Sequence, residues 1–410
     1  MESTISFEMA RQLLLSFAII LAAGTFSVFL SQKLKTPDVA TFLLAGILLG
    51  PEVSSILHIS VESALNQIIL IFGACYILFD GGASIRLNVL KQIWITLFLL
   101  ATIGVIIMTA ITGIVAYYLL GLPLITALLL GATIAPTDPA TIIPIFRQVK
   151  VKESVSQSLI SESAFNDTTG SVLTFAVLSV AMGSSGFSLT ASLADLLKQS
   201  IGGVVIGGAI GYLSALLIAN EKFDFLAKYA PVITLMALIG TYLGAEDVQT
   251  SGFMAVFVFG IILGNKESFG FRMNMREHKK LEDYVARTSM IMRMFIFILL
   301  GSQVDFSLMS KFLFEGIIVI AIFMLIARPV TVFLCAIPDR RAKWNFNEML
   351  FMCWTRETGV MPAALAGLLM GKHVPGAEII TAVTSIAILM TILIQTMTAK
   401  WLAGKLGLLE

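Results

Sequence analysis

Four polar side chains lie close together in the stretch SESAFNDTTGS, residues 161–171, inside a long apolar region of the chain. Glu162 and Asn166 are four residues apart, and so are Ser163 and Asp167, so a helix would place each pair on one face. On this spacing Glu162 and Asn166 can hydrogen-bond each other, while Asp167 points to a neighbouring face with the Ser163 hydroxyl beside it. Carboxylate and hydroxyl oxygens suit hard cations, and a carboxylate also binds a proton. The spacing therefore predicts a site at Asp167 that holds a cation or a proton, and never both.

Other ionisable residues also fall inside apolar runs, where each costs roughly 2.5–3.5 kcal/mol on insertion scales. With Glu162 and Asp167 they make five carboxylates against three arginines, the others being Asp80, Asp138, Glu357, Arg293, Arg328 and Arg356. At least two acids therefore have no permanent partner, and a mobile cation or a proton is the natural counter-charge. Thr137 and Asp138 are expected to supply further oxygens to the cation.

Two apolar segments contain helix breakers near their middle. LLLGATIAPTDPATIIPIF carries Pro136 and Pro139, and MCWTRETGVMPAALAGLL carries Gly359 and Pro362. Proline interrupts a helix and pushes the residue before it out of the α region, so Asp138 is predicted to be extended. Irregular backbone at membrane depth is tolerated only where it lines a cavity or is buried in protein. Such a pair, one in each half of the chain, indicates a transporter built from inverted repeats with its site between the breaks.

The elements that position these residues are predicted to be membrane-spanning helices. The 410 residues are 57% hydrophobic and 13% charged, whereas a soluble domain is about 25% charged. The apolar residues form blocks of roughly 20, long enough to cross a bilayer. Thirteen spans are predicted, at about 12–31, 38–50, 63–84, 92–120, 123–146, 153–182, 197–220, 227–245, 250–265, 284–301, 312–337, 345–371 and 376–400.

The basic residues indicate how these spans are oriented. With the N-terminus outside, twenty of the 27 Lys and Arg fall in inner segments, and four (Arg11, Lys198, Lys311 and Lys372) fall outside. This positive-inside bias predicts an integral protein of the plasma (inner) membrane with a cytoplasmic C-terminus. The first apolar run is too long for a signal peptide and is interpreted as a retained helix.

Composition also excludes several classes of partner and cofactor. The net charge of +1 indicates no nucleic-acid partner. Cys75, Cys335 and Cys353 lie in apolar runs without CxxC spacing, and the three histidines fall in predicted loops. We therefore expect no disulfide framework, no histidine metal site and no cofactor beyond the transported ions.

These motifs resemble the NhaP branch of the sodium/proton antiporters, within the monovalent cation:proton antiporter superfamily. The matching pieces cover nearly the whole chain; they are PDVATFLLAGILLGP at 37–51, LFDGG at 78–82, ATIAPTDPATIIPIF at 132–146, ESAFND at 162–167, FIFILLG at 295–301, ARP at 327–329 and GVMPAAL at 359–365. The resemblance implies an all-α, thirteen-helix, NhaA-like fold, a homodimer in the lipid bilayer, and an elevator-like motion of a core domain. The expected division of this single domain, 1–410, is a first repeat at about 12–182, a linking helix at 197–220 and a second repeat at 227–400.

The resemblance also implies roles for particular residues. Asp167 would bind the cation or the proton, with Thr137, Asp138 and Ser163 completing the ion site and Asp80 lining the cytoplasmic approach. An Asn-Asp pair, here Asn166 and Asp167, is associated with electroneutral one-for-one exchange.

Glu162 and Asn166 match a structural pair that normally meets an arginine. Relatives usually carry that arginine just before the glycine of GVMPAAL, where this chain has Thr358, and Arg356 lies two residues earlier. In a regular helix two residues turn by about 200°, so the partner of Glu162 is either Arg356 or Arg328. The adjacent Glu357 is expected either to join this charge network or to pair with Arg356.

The predicted function is therefore Na⁺/H⁺ antiport. K⁺/H⁺ or mixed exchange is the alternative, because the types of oxygen ligand do not determine the size of the cavity and so do not select between the two cations. A cation channel is a candidate from another class. Channels tend to have rings of like residues or carbonyl filters, so single acidic residues on two broken helices favour a carrier. We expect no enzyme activity, since the sequence has neither an HExxH nor a GxSxG motif.

Overall fold

The computed structural model describes residues 2–34, 36–60, 63–182, 189–219 and 224–409, and these are almost entirely helical. Each of the thirteen predicted spans contains a helix or a pair of helices. The α-helices are Glu2–Leu34, Asp38–Leu49, Ala64–Ser84, Leu87–Leu99, Val105–Leu120, Leu124–Ile134, Pro139–Gln148, Glu153–Ala181, Leu189–Ala219, Asp224–Ala227, Ala230–Asp247, Gly252–Gly264, Met275–Ser302, Phe306–Lys311, Leu313–Ile322, Arg328–Ala336, Phe346–Trp354, Val360–Gly371, Ala377–Met390 and Met397–Lys405. Two of the basic residues counted above, Lys35 and Lys222, lie outside the described residues.

Three of the long helices contain a π-helical turn, and these turns are Leu100–Gly104, Phe323–Ala327 and Thr391–Thr396. A short 3₁₀ turn covers Lys266–Phe269. In the described ranges the β pairing consists of one antiparallel bridge, between Val151 and Leu409. The predicted all-α fold class is confirmed.

Seven helices in the described part of the chain are long and apolar enough to cross a membrane; they are Ala10–Leu34, Ala64–Ser84, Leu87–Leu120, Thr190–Ala219, Met275–Ser302, Leu313–Ala336 and Ala377–Lys405. Four shorter apolar helices accompany them: Asp38–Leu49, Leu124–Ile134, Gly252–Gly264 and Val360–Gly371. The last of these and Leu124–Ile134 are short because each ends or begins at one of the two predicted breaks. The chain is an integral membrane protein.

The helices pack into two bundles. The first contains Glu2–Leu34, Asp38–Leu49, Ala64–Ser84, Leu189–Ala219, Ala230–Asp247, Gly252–Gly264 and Met275–Ser302, and the second contains the helices of 87–181 and 313–405. Small residues allow close packing inside the first bundle, as expected between membrane helices. A Cβ atom on Gly260 would lie 2.4 Å from the carbonyl oxygen of Phe79, and one on Gly82 would lie 2.3 Å from that of Phe257.

Several polar contacts join the helix ends on one side of the molecule, which we name the basic face. Arg86 forms an ion pair with Glu153 at 2.9 Å, and Lys152 forms one with Glu348 at 2.6 Å. The side chain of Asn265 accepts a hydrogen bond from the backbone of Leu87. On the opposite face, Gln303 donates to Asn66 and the backbone of Ser251 donates to that of Gln199.

Candidate cation and proton site

The two predicted breaks are present, and the unwound segments that follow Ile134 and Trp354 touch each other. The backbone N–H of Asp138 donates to the carbonyl oxygen of Glu357 at 3.0 Å. The Oδ2 atom of Asp138 accepts from the backbone N–H of Val360 at 3.1 Å and from the Thr141 hydroxyl at 3.2 Å. Asp138 therefore lies against the N-terminal turns of Pro139–Gln148 and Val360–Gly371, where backbone donors and the helix dipoles favour a negative charge.

Gly359 leaves the space in which the Asp138 carboxylate lies. A Cβ atom at this position would be 1.8 Å from Oδ2 of Asp138. A second close approach is at Gly170, where a Cβ would lie 2.3 Å from Cγ of Pro136. The absence of a side chain at these two glycines brings the first break against the second, and against the helix that carries Asp167.

Asn166 is bonded to Thr137, in the first break. Its Oδ1 atom accepts from the backbone N–H of Thr137 at 3.1 Å, and its Nδ2 atom donates to the Thr137 hydroxyl at 2.9 Å. The expected hydrogen bond between Asn166 and Glu162 is replaced by this contact. A spacing of four residues brings the two side chains within reach of each other, but Thr137 engages the Asn166 amide and Arg328 engages both oxygens of Glu162.

Arg328 is the arginine that meets Glu162. Its Nη1 and Nη2 atoms donate to Oε1 and Oε2 of Glu162 at 2.5 and 2.9 Å, and its Nε donates to the Met352 carbonyl at 3.1 Å. Both side chains are fully buried. Such a two-pronged pair is the geometry that a guanidinium and a carboxylate favour.

Arg356 points elsewhere. It donates to the carbonyl oxygen of Ala135, and its guanidinium lies 4.8 Å from the ring centroid of Phe323. Within the described residues the two carboxylate oxygens of Glu357 have no hydrogen-bond partner, and the side chain is fully buried. The pairing of Arg356 with Glu357 that the sequence suggested is not formed.

Asp167 lines a cavity of about 140 Å³ between the two bundles, together with Asp138. The cavity walls include Leu70, Ala74 and Leu78 along the middle of Ala64–Ser84, and Tyr242 of Ala230–Asp247, all from the first bundle. Asp167 is 4% exposed, and its Oδ1 atom has no partner among the described residues. A bare, buried carboxylate oxygen beside a cavity is suited to binding a cation or a proton.

The other predicted oxygen ligands differ in whether they already form hydrogen bonds within the protein. The hydroxyl of Ser163 is buried without a partner in the described ranges. The hydroxyl of Thr137 is bonded to Asn166, and the carboxylate of Asp138 accepts from Val360 and Thr141. The cation-binding role of these residues stays a prediction.

Asp80 lies apart from this cavity. It lines a second cavity of about 350 Å³ at the basic face, together with Lys266, His278 and Glu282. The Lys266 ammonium is 3.2 Å from Nδ1 of His278. Burial lowers the pKa of Lys266 below its ordinary value, and the nearby acids Glu267 and Glu282 oppose this shift.

A close apolar contact joins the two bundles beside Asp80. Gly81, next to Asp80, packs so tightly on the second bundle that a Cβ there would lie 2.2 Å from Cδ1 of Ile143 and 3.5 Å from Cγ2 of Ile160. Next to Asp80, the helix Ala64–Ser84 is therefore packed tightly against the second bundle.

The structure also pairs charged residues that the sequence analysis missed. Asp38 lies 3.6 Å from Arg293, so one of the three arginines counted above is opposed by an acid at the start of a span. Asp339 is buried and accepts from the backbone and hydroxyl of Thr96 at 3.0 and 2.7 Å. In the sequence, Asp38 and Asp339 are recognisable only as acidic residues at the edges of apolar runs. Solvated loop residues show the same pattern.

Two crossed unwound segments, a bare buried carboxylate beside them, and a cavity between two helical bundles define a secondary transporter of the discontinuous-helix type. Residues 17–405 match the sequence model of the family described as "Sodium/hydrogen exchanger, transmembrane", and the chain belongs to this family.

Individual relatives agree with this assignment. The chain is 32% identical over 357 residues to "Na(+)/H(+) antiporter 1" of Methanocaldococcus jannaschii. The aligned region covers 85% of this chain and 81% of the relative. It is 27% identical over 400 residues to "K(+)/H(+) antiporter NhaP" of Alkalimonas amylolytica, covering 95% of this chain and 66% of the relative.

Among solved structures, the sodium proton antiporter MjNhaP1 from Methanocaldococcus jannaschii at pH 8 superimposes with a TM-score of 0.75. That match has 28% sequence identity and covers 97% of this chain and 99% of the other. The predicted resemblance to NhaP-type antiporters is confirmed by these matches.

Proposed function

We propose that the chain exchanges Na⁺ for H⁺ at Asp167, one for one. The observation that carries this proposal is the Oδ1 atom of Asp167, which is buried beside a cavity and has no partner among the described residues. A carboxylate in this setting needs a counter-charge. A cation and a proton compete for the same oxygen, so release of one accompanies binding of the other.

Electroneutral exchange follows from the neighbouring residue. Asn166 is a neutral amide whose oxygen and nitrogen are both engaged with Thr137. It therefore adds no second titrating group to the site. Ser163, Thr137 and Asp138 complete the oxygen ligands, and Asp80 lines the cytoplasmic approach.

The proposed mechanism is elevator-like alternating access, with the second bundle as the moving core domain. In this scheme the cavity at Asp167 faces outward, and the contact of Gly81 with Ile143 and Ile160 closes the inner path. The basic face lies in the cytoplasm because it carries residues such as Arg86, Lys152 and Lys266.

The chain forms a homodimer in the plasma (inner) membrane, with its N-terminus outside and C-terminus inside. Its inverted repeats span about 12–182 and 227–400 and are linked by the helix at 197–220. It is a carrier with no enzymatic reaction and no cofactor besides bound ions.

The test is transport by the full chain in proteoliposomes that hold an imposed pH gradient. Addition of Na⁺ should collapse the gradient, and a membrane potential should not alter the rate. Asp167→Asn should abolish the exchange, while the protein remains folded by size-exclusion chromatography. Persistent exchange in this variant would overturn the proposal.

K⁺/H⁺ exchange is the second candidate, since relatives named K⁺/H⁺ antiporters include those of Alkalimonas amylolytica and Shewanella oneidensis. The same liposomes, given K⁺ in place of Na⁺, decide between the two cations.

A further inference from the structure

Several buried polar atoms lie where an extended segment passes a π-helical turn in the second bundle. They belong to the extended segment after Trp354 and to the π-helical turn Thr391–Thr396. Within the described residues these atoms make no hydrogen bond, and they are Oγ1 of Thr355, Oε1 and Oε2 of Glu357, Oε1 and Nε2 of Gln395, and Oγ1 of Thr396. All four side chains are at most 1% exposed.

Two hydrogen bonds hold the extended segment against this turn. The indole Nε1 of Trp354 donates to the Thr398 hydroxyl at 2.8 Å, and the backbone N–H of Thr358 donates to the Thr391 hydroxyl at 3.0 Å. An extended path from 354 to 358 is about 13 Å long, and a helical path from 391 to 398 rises about 11 Å. The segment and the helix therefore run side by side in opposite directions.

Gln395 lies in the chain between Thr391 and Thr398, which both bond to the extended segment. Its amide is buried and has no hydrogen-bond partner in the described ranges. Side chains alternate along an extended backbone, so Thr355 and Glu357 share one side while Arg356 points to the other.

Within the described residues the Glu357 carboxylate forms no hydrogen-bonded ion pair, although the charges of Arg328 and Arg356 act on it. Arg356 is bonded to the Ala135 carbonyl, and Arg328 has both terminal nitrogens on Glu162. A buried carboxylate must be paired, must bind a cation or must take a proton. The amide and hydroxyl oxygens beside it are additional neutral ligands of the kind that alkali cations favour, and transporters use unwound segments in this way.

We propose that Glu357, Thr355, Gln395 and Thr396 form a second binding site, for a resident monovalent cation. The site is distinct from that at Asp167, because none of these four residues lines the cavity in which Asp167 lies. Its cation neutralises Glu357 and holds the extended segment on the π-helical turn. It is not exchanged in the transport cycle.

The experiment counts bound cations on the purified full chain. The protein is dialysed into a cation-free buffer at alkaline pH and titrated with ²²Na⁺, and in parallel with ⁸⁶Rb⁺ as the probe for K⁺. The wild type should bind two ions of at least one of these cations. Asp167→Asn and Glu357→Gln should each bind one, and the double variant should bind none.

The outcomes separate this inference from the proposed function. If the wild type binds one cation and Glu357→Gln leaves that number unchanged, Glu357 carries a proton and the inference is overturned. If Asp167→Asn keeps full cation binding, the proposed role of Asp167 fails instead.

A second variant guards against misfolding of Glu357→Gln. Gln395→Leu removes the amide and leaves the carboxylate, and it should weaken the second binding event at least about tenfold while leaving the event at Asp167 in place. Equal affinities in Gln395→Leu and wild type would also overturn the inference.

Discussion

The guanidinium of Arg328 donates two hydrogen bonds to the carboxylate of Glu162, at 2.5 and 2.9 Å. Its Nε atom donates a third hydrogen bond to the carbonyl oxygen of Met352. One side chain therefore fastens three elements: the helix that carries Asp167, the helix Arg328–Ala336, and the helix that leads into the second break. Both side chains of this pair are buried, so the pair stabilises the packing of these helices next to the second break.

Glu162→Gln should strongly destabilise the protein because it leaves the buried charge of Arg328 without its partner. Breaking a buried pair costs about 3–5 kcal/mol. The matched control is Glu153→Gln, which breaks the pair between Arg86 and Glu153, whose side chains are 72% and 39% exposed; such a pair contributes about 0–1 kcal/mol. Thermal unfolding in detergent should show a large drop for the first variant only, and equal drops would contradict this assignment.

Asn166→Ala should lower the apparent cation affinity. The change removes the amide that orients both the backbone N–H and the hydroxyl of Thr137, so the first break can shift relative to Asp167. We expect an increase of at least about tenfold in the KM for Na⁺. Asn345→Ala is the control, because it removes a helix cap at the basic face and should lower stability by about 1 kcal/mol without changing KM. A normal KM in Asn166→Ala would refute the positioning role.

Gly359→Ala should abolish transport. The added Cβ would lie 1.8 Å from Oδ2 of Asp138, so the carboxylate must leave the N-terminus of Val360–Gly371. Gly240→Ala is the control, because a Cβ there meets nothing within 4 Å and alanine favours a helix by about 1 kcal/mol. Proteoliposome transport measures both variants, and wild-type rates in Gly359→Ala would show that Asp138 need not stay in place.

The direction in which each cavity faces can be tested by cysteine labelling. Ala364 lines the cavity at Asp167, and Ser84 lines the cavity at the basic face. In a chain without its three buried native cysteines, Ala364→Cys should react with an impermeant thiol reagent added outside cells. Ser84→Cys should react only when the reagent reaches the cytoplasm. The reverse pattern would invert the proposed orientation.

Lys266 should make stability depend on pH. Burial lowers the pKa of Lys266 below 10.5, so between the lowered value and 10.5 the unfolded chain binds more protons than the folded one. In that window the free energy of unfolding rises with pH. Lys266→Met lacks this term, so wild type should gain stability relative to the variant as the pH rises.

Thermal unfolding of wild type and Lys266→Met across alkaline pH measures this change. Lys280→Met, at a half-exposed lysine paired with Glu277, is the control and should keep a constant offset from wild type. A constant offset for Lys266→Met would contradict the expected effect.

The sequence by itself determined the helices, both breaks and the placement of Asp167 on a helix that passes them. These features rest on local properties: the length of apolar runs, the missing backbone donor of proline, and the helical period. They do not depend on which helices become neighbours. The family was also evident from motifs distributed along the chain.

Only the tertiary structure decided which polar groups pair. Spacing of four residues permitted a bond between Glu162 and Asn166, yet Asn166 binds Thr137, and Glu162 binds Arg328 from a helix 166 residues away in the chain. It likewise turned Arg356 towards Ala135 and left Glu357 without a partner in the described part of the chain. Partner choice depends on helix rotation and on the contact between two unwound segments, and these follow from the packing of the whole bundle.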